Sequence, residues 1–182
     1  NKCEVLKTSD AANNFERIDV TNITPFINEI YFFSSNYGLL LGDQTGNKFG
    51  IGYTSDAGVS WHKIPQQPVA QAGENGYVGS IDFYGDNVWF GTSRGRVLHS
   101  TDKGQAWSDG TVEVGKLIHK IAFGNENKGL ALYGAGQIAP TQLAATTDGG
   151  KTWQKNVMDF ANLGQMPVDL FSADDTEDIF VV

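Results

Sequence analysis

The sequence predicts an all-β chain of four-stranded antiparallel blades, and three observations carry that prediction. The octets Thr54–Trp61 (TSDAGVSW), Ser100–Trp107 (STDKGQAW) and Thr146–Trp153 (TTDGGKTW) are one motif, and their aspartates Asp56, Asp102 and Asp148 lie 46 residues apart. A fixed period of that size marks a repeat architecture. Each interval carries four short segments rich in β-branched and aromatic residues, cut by Gly, Asn and Asp, which read as strands. No segment sustains a helical apolar period. Four strands in one such period make a propeller blade, so the fold class is a β-propeller with four blade-equivalents in one domain spanning residues 1–182.

Taken in order, the chain opens on a third strand, EVLKTSD, and a fourth, NFERIDV. Between them stands a worn octet, TSDAANNF, in phase with the others: Asp10 is its aspartate, Ala12 replaces the glycine and Phe15 the tryptophan. The first full repeat supplies EIYFFS, YGLLLGD, FGIGYTSD and SWHKI; the second GSIDFYG, NVWFGTS, RVLHSTD and the Trp107 strand; the third HKIAFG, GLALYG, QLAATTD and TWQKN. VMDFANLGQM, Val157–Met166, has room for one helical turn, and VDLFSA and DIFVV close the chain as a first and a second strand. The two ends together amount to one more blade. That is compatible with a four-bladed ring closed by its termini, or with part of a larger seven- or eight-bladed ring, including a homodimer that completes it. The second is favoured.

Each octet falls at the turn from third to fourth strand. The residue types suit a staple: Asp accepts turn amides, Gly58, Gly104 and Gly150 permit positive φ, and Trp61, Trp107 and Trp153 bury an indole between sheets. One Asp per octet is too few oxygens for a calcium loop.

Composition excludes several functions. A net charge of −8 with three arginines disfavours nucleic acid and anionic membrane surfaces. No apolar run has the length of a membrane span, and no leader pattern is visible. Cys3 has no partner for an internal disulfide. His62, His99 and His119 are isolated, which argues against zinc. No cofactor-binding fingerprint and no nucleophile elbow occurs, so neither metal nor cofactor is expected.

The octets resemble Asp-box, or BNR, repeats, and the segments GRVLHSTDKGQAW and LAATTDGGKTW are most similar to YCF48-like photosystem II assembly factors and to secreted Bacteroidetes propellers. Sialidases, sortilin-type receptors and xyloglucan-cleaving glycosidases share the box. The resemblance implies a propeller in which the box lies away from the active site, and an extracytoplasmic bacterial protein. A sialidase needs three arginines from different blades around one carboxylate. Here Arg94 and Arg96 share one short segment and leave only Arg17, so that activity is disfavoured. A paired-carboxylate glycosidase stays open as the alternative.

With no catalytic constellation, the favoured function is a non-enzymatic binding or assembly module for a protein or glycan. Candidate binding residues lie on the loops joining second to third strands and one blade to the next: Asp43 in DQTGNK, Glu74 and Tyr77 in the long loop Ile64–Tyr77, and Arg94 and Arg96 in SRGR. GAGQIAPT, Gly134–Thr141, lies on the same face. If the two arginines alternate along an extended segment, they form a small anion site; the favoured reading is that they are surface or inter-blade salt-bridge residues. DDTED, Asp174–Asp178, reads as a charged turn.

Overall fold

The computed structural model describes residues 2–136, 140–173 and 177–182. Three four-stranded antiparallel sheets follow one another: β3 (Ile27–Phe32), β4 (Gly38–Thr45), β5 (Lys48–Thr54) and β6 (His62–Lys63); β7 (Gly76–Tyr84), β8 (Asn87–Thr92), β9 (Arg96–Ser100) and β10 (Ser108–Thr111); β11 (Leu117–Phe123), β12 (Gly129–Gly134), β13 (Gln142–Thr146) and β14 (Gln154–Asp159). They are flanked by two half-sheets, β1 (Glu4–Lys7) with β2 (Glu16–Asp19) and β15 (Leu170–Ser172) with β16 (Ile179–Val181). Among the described residues the half-sheets pair internally and not with each other. The expected helical turn is α1, Phe160–Leu163, capped by Asp159 at its start and by left-handed Gly164 at its end. Asp174, Asp175 and Thr176 of the charged turn, and Gln137, Ile138 and Ala139 of the Gly134–Thr141 loop, lie outside the described residues.

Second strands explain why the sequence there reads as unbroken apolar runs. Successive side chains point to opposite faces of a sheet, and in a stacked blade both faces are covered. Leu39 and Leu41 pack with Val88, Phe90 and Leu98 of the next blade, while Leu40 packs backward with Val20 and Ile23. Trp89 and Val97 pack forward with Ile118, Phe123, Ala131 and Tyr133. Ala122, Leu132 and Leu143 pack with Phe160 and Leu170. The core is therefore a row of inter-blade layers, with first strands β3, β7, β11 and β15 adjacent in series.

The four boxes repeat one hydrogen-bond pattern. The hydroxyls of Thr54, Ser100, Thr146 and Thr8 donate to their box carboxylates at 2.7, 2.8, 2.8 and 2.9 Å. The same hydroxyls accept the amides of Gly58, Gly104, Gly150 and Ala12 at 2.9, 2.8, 3.0 and 3.0 Å. Each carboxylate also accepts the amide four residues on, from Ser60, Ala106, Thr152 and Asn14. Two consecutive residues take positive φ, and one is a non-glycine at Ala57 (60°) and Lys103 (57°), which residue type did not signal. The worn copy keeps the geometry, with Ala12 at 67°, although Phe15 is exposed.

Trp107 and Trp153 donate their indole N–H to the carbonyls of Gly104 and Gly150 at 2.9 and 3.0 Å; Trp61 is buried, but its N–H finds no partner. The second and third boxes also hold the blade before them: Trp89 donates to the Gly149 carbonyl at 2.9 Å and stacks on Phe123 at 3.7 Å, and Tyr37 donates to the Lys103 carbonyl. The Asp148 carboxyl is lowered to about 2 by Thr152 and Thr146 contacts, and those of Asp56 and Asp10 fall below the usual range for the same reason.

Candidate functional site

First strands run away from the face that carries the β4–β5, β8–β9 and β12–β13 turns, so that face and the box face are opposite ends of the sheets. On the turn face a cleft of about 440 Å³ opens between the blades, lined among others by Asp43, Asn75, Tyr77, Ser93, Arg94 and Leu117. Three of the five sequence-derived candidates, Asp43, Tyr77 and Arg94, thus share one wall space, although they come from three different segments of the chain.

The backbone around the cleft is tied down. Asn75 donates its amide to Ser93 Oγ at 3.0 Å, and Ser93 returns its own amide to the Asn75 carbonyl at 2.9 Å. Gly115 donates to the Arg94 carbonyl at 3.1 Å. The Arg94 guanidinium reaches back through Nη2 to the Ala72 carbonyl at 3.2 Å. Asp43 Oδ1 accepts from Asn28 Nδ2 at 3.0 Å, and Asn28 is itself buried. Tyr77 stands edge-on to His119, with centroids 5.6 Å apart. Burial pushes the His119 pKa down, against a hydrogen bond to the Gly136 backbone that works the other way. Its Nε2 has no partner among the described residues.

Glu74 and Arg96 do not face the cleft space. The Glu74 side chain is fully buried: Oε1 accepts from Thr92 Oγ1 at 2.7 Å and Arg96 Nε at 2.9 Å, and Oε2 from the Gln71 amide at 2.8 Å and from Arg96 Nη2 at 2.5 Å. Arg96 also donates to the Val69 carbonyl at 2.8 Å and to Asp109 at 3.2 Å. Burial opposes ionisation of Glu74, but the bonds from Arg96, Gln71 and Thr92 outweigh it and lower its pKa; the Glu74 contact in turn raises that of Arg96. The paired-arginine anion site is corrected by this geometry. Arg94 stands in the turn before β9 rather than in an extended run with Arg96, and the Arg96 nitrogens are committed to Glu74, Val69 and Asp109. The Ile64–Tyr77 loop is anchored to the blades at three buried residues, Ile64, Ala70 and Glu74, and by the bridge from Val69 to Lys48, while Pro65, Gln66, Gln71, Ala72, Gly73 and Asn75 stay exposed.

Sequence reasoning missed Asn28, which orients Asp43, because a single buried Asn carries no residue-type signal. It also passed over a sign of the Glu74 pair. With two-residue alternation along β9, Arg96 falls on the face of Leu98, which packs against the preceding blade, and a cation on an apolar face requires an acid.

Chemically, the cleft offers one carboxylate, one guanidinium, a phenol and several amide and hydroxyl groups. Asp43 is the only carboxylate among its described lining residues, whereas glycoside hydrolysis uses two. Each box carboxylate, on the other face, is engaged within its own turn.

A family profile described as photosynthesis system II assembly factor YCF48 matches residues 7–114. The photosystem II assembly lipoprotein Ycf48 of Synechococcus sp. (strain CC9902) is 29% identical over 143 residues, covering 73% of this chain and 37% of the relative. The chain therefore spans less than two fifths of the curated relative it matches. Among solved structures, YCF48 bound to a D1 peptide is similar at a TM-score of 0.55 and 21% identity, over 71% of this chain and 39% of that one. A GH74 xyloglucanase from Xanthomonas campestris is similar at a TM-score of 0.57 and 19% identity, over 85% of this chain and 26% of that one. At these identities both structures establish the propeller fold alone. The profile match spans more than half of the chain and takes in the first three boxes together with Asp43, Tyr77 and Arg94, and on it the chain belongs to the photosynthesis system II assembly factor YCF48 family.

Proposed function

We propose that this chain is a non-enzymatic protein-binding module of an assembly factor, and that it holds a segment of its partner in the turn-face cleft at Asp43, Tyr77 and Arg94. The observation that carries the reading is the cleft itself: pre-tied backbone, exposed polar groups and a single carboxylate suit holding a chain better than cleaving one. Family membership supports the reading, as does the YCF48 structure whose ligand is a D1 peptide. The relative named as a lipoprotein supports an extracytoplasmic location.

Panning a random peptide library on the chain tests the function. Selected peptides bind the wild type and lose binding to Tyr77→Ala and Arg94→Ala, while melting temperatures stay unchanged. Peptides that bind both variants as well as the wild type overturn the site. Turnover of a glycan panel that vanishes in Asp43→Asn overturns the non-enzymatic reading in favour of the hydrolase alternative.

A further inference from the structure

We infer that the turn-face cleft reads two opposite charges together: a peptide side chain carrying a cation seats at the Asp43 carboxylate, and a nearby anionic group of the same peptide seats at the Arg94 guanidinium, with the segment laid across Tyr77. The inference rests on the cleft being the binding site proposed above, and it adds the chemistry of what binds there.

The starting point is an imbalance of partners. The chain has 21 acids against 13 lysines and arginines, so an arginine here has acids in excess to pair with. Arg17 takes Glu4, and Arg96 takes Glu74 and Asp109. Among the described residues Arg94 makes no ion pair, although it is exposed and one of its five N–H donors is spent on Ala72. Asp43 likewise has no cationic partner among the described residues, only Asn28 on Oδ1. Both are held in place, by the Asn28 amide on one side and by the Ala72 carbonyl with the Gly115 amide on the other. Their positions are therefore set before a ligand arrives, which lowers the cost of ordering on binding.

These two are also the only charged side chains among the described residues that line the cleft, and they do not neutralise each other as a salt bridge. That arrangement selects. A purely anionic ligand gains Arg94 but meets Asp43, and a purely cationic one gains Asp43 but meets Arg94. Only a ligand with both signs satisfies both groups, and the two charges then fix its direction in the cleft. Tyr77, braced edge-on by buried His119, supplies a fixed apolar surface in the same cleft.

The test uses peptides panned on the wild-type chain, resynthesised with acetylated and amidated ends so that only side chains carry charge, and read by fluorescence polarisation. Selected sequences place Lys or Arg within a few residues of Asp or Glu, and replacing either by Gln weakens binding about tenfold. Asp43→Asn abolishes the effect of removing the peptide cation and leaves that of the anion; Arg94→Gln does the reverse. The double variant Asp43→Arg with Arg94→Asp prefers peptides of reversed charge order, an outcome that loss of folding cannot produce. Peptides that depend on Tyr77 but tolerate loss of both charges within twofold overturn this inference and leave the proposed function standing. Failure to select any peptide that depends on Tyr77 overturns the proposed function, and the charge reading falls with it.

Discussion

Replacing Glu74 by Gln tests whether the cleft wall is held by the buried ion pair. Glu74 has no exposed side-chain surface, and Arg96 retains 12%. The substitution keeps the shape, but it leaves the Arg96 guanidinium without the carboxylate that takes its Nε and Nη2. Asp109 remains, at 3.2 Å and 47% exposed, and an exposed acid compensates weakly. Breaking a buried pair by removing one partner costs about 3–5 kcal/mol; because Gln keeps one acceptor, about 3 kcal/mol is expected. For a chain of this size that lowers the melting midpoint by roughly 6–12 °C. Calorimetry at pH 7 on wild type, Glu74→Gln, Arg96→Met and the double variant gives the coupling. The double variant is expected to lose less than the two singles together, by about 2 kcal/mol or more. The sign with pH follows: the Glu74 pKa is lowered from 4.5, so its contribution is present at neutral pH and is lost as pH falls below about 4.5. A Glu74→Gln protein that melts within 2 °C of the wild type, or strictly additive variants, refutes the reasoning.

Asp82 gives a dependence of opposite sign. Burial raises its carboxyl from 3.8 to about 6, against the hydrogen bond from the Phe123 amide, so ionising it costs about 2–3 kcal/mol; that stability is full below pH 3.8 and is lost as pH rises through 6. Asp82→Asn should therefore flatten the melting profile between pH 4 and 7 relative to wild type, and a parallel profile counts against the assignment. Gly110→Ala places a Cβ 1.9 Å from the Gly150 carbonyl oxygen, forcing the third box off the second blade. A loss of about 2 kcal/mol or more in urea unfolding is expected, and a neutral result contradicts the packing. Thr146→Val removes a buried hydroxyl that both donates to Asp148 and accepts from Gly150, for an expected loss of about 1–3 kcal/mol in the same assay.

Most of the architecture was legible because the box repeats. Thr, Asp, Gly and Trp at fixed offsets announce a turn, and the 46-residue step places its copies before any strand is assigned. The turn face was legible for the same reason, since once the box end is known the other end is where Asp43, Tyr77 and Arg94 must lie. What failed to show was partnership over distance. Arg96 read as a surface or inter-blade salt-bridging residue and Glu74 as a loop acid, but neither showed its partner or its burial, because that is decided by which residue 22 positions away meets it, not by local composition. Ala57 and Lys103 occupy the left-handed region because the box bonds on either side over-determine the turn, so residue propensity gave no warning. Asp82 reads as a polar residue in a strand, and only the neighbouring blade's Phe123 amide shows what it does.

The central claim is that the turn-face cleft, and not the box face, holds the partner. Amide chemical-shift mapping of the chain with a panned peptide tests it most directly. The account predicts saturable shifts concentrated at Asp43, Asn75, Tyr77, Ser93, Arg94 and Leu117, with the four boxes unmoved. Shifts concentrated at Thr54–Trp61, Ser100–Trp107 and Thr146–Trp153, with the cleft unmoved, contradict it.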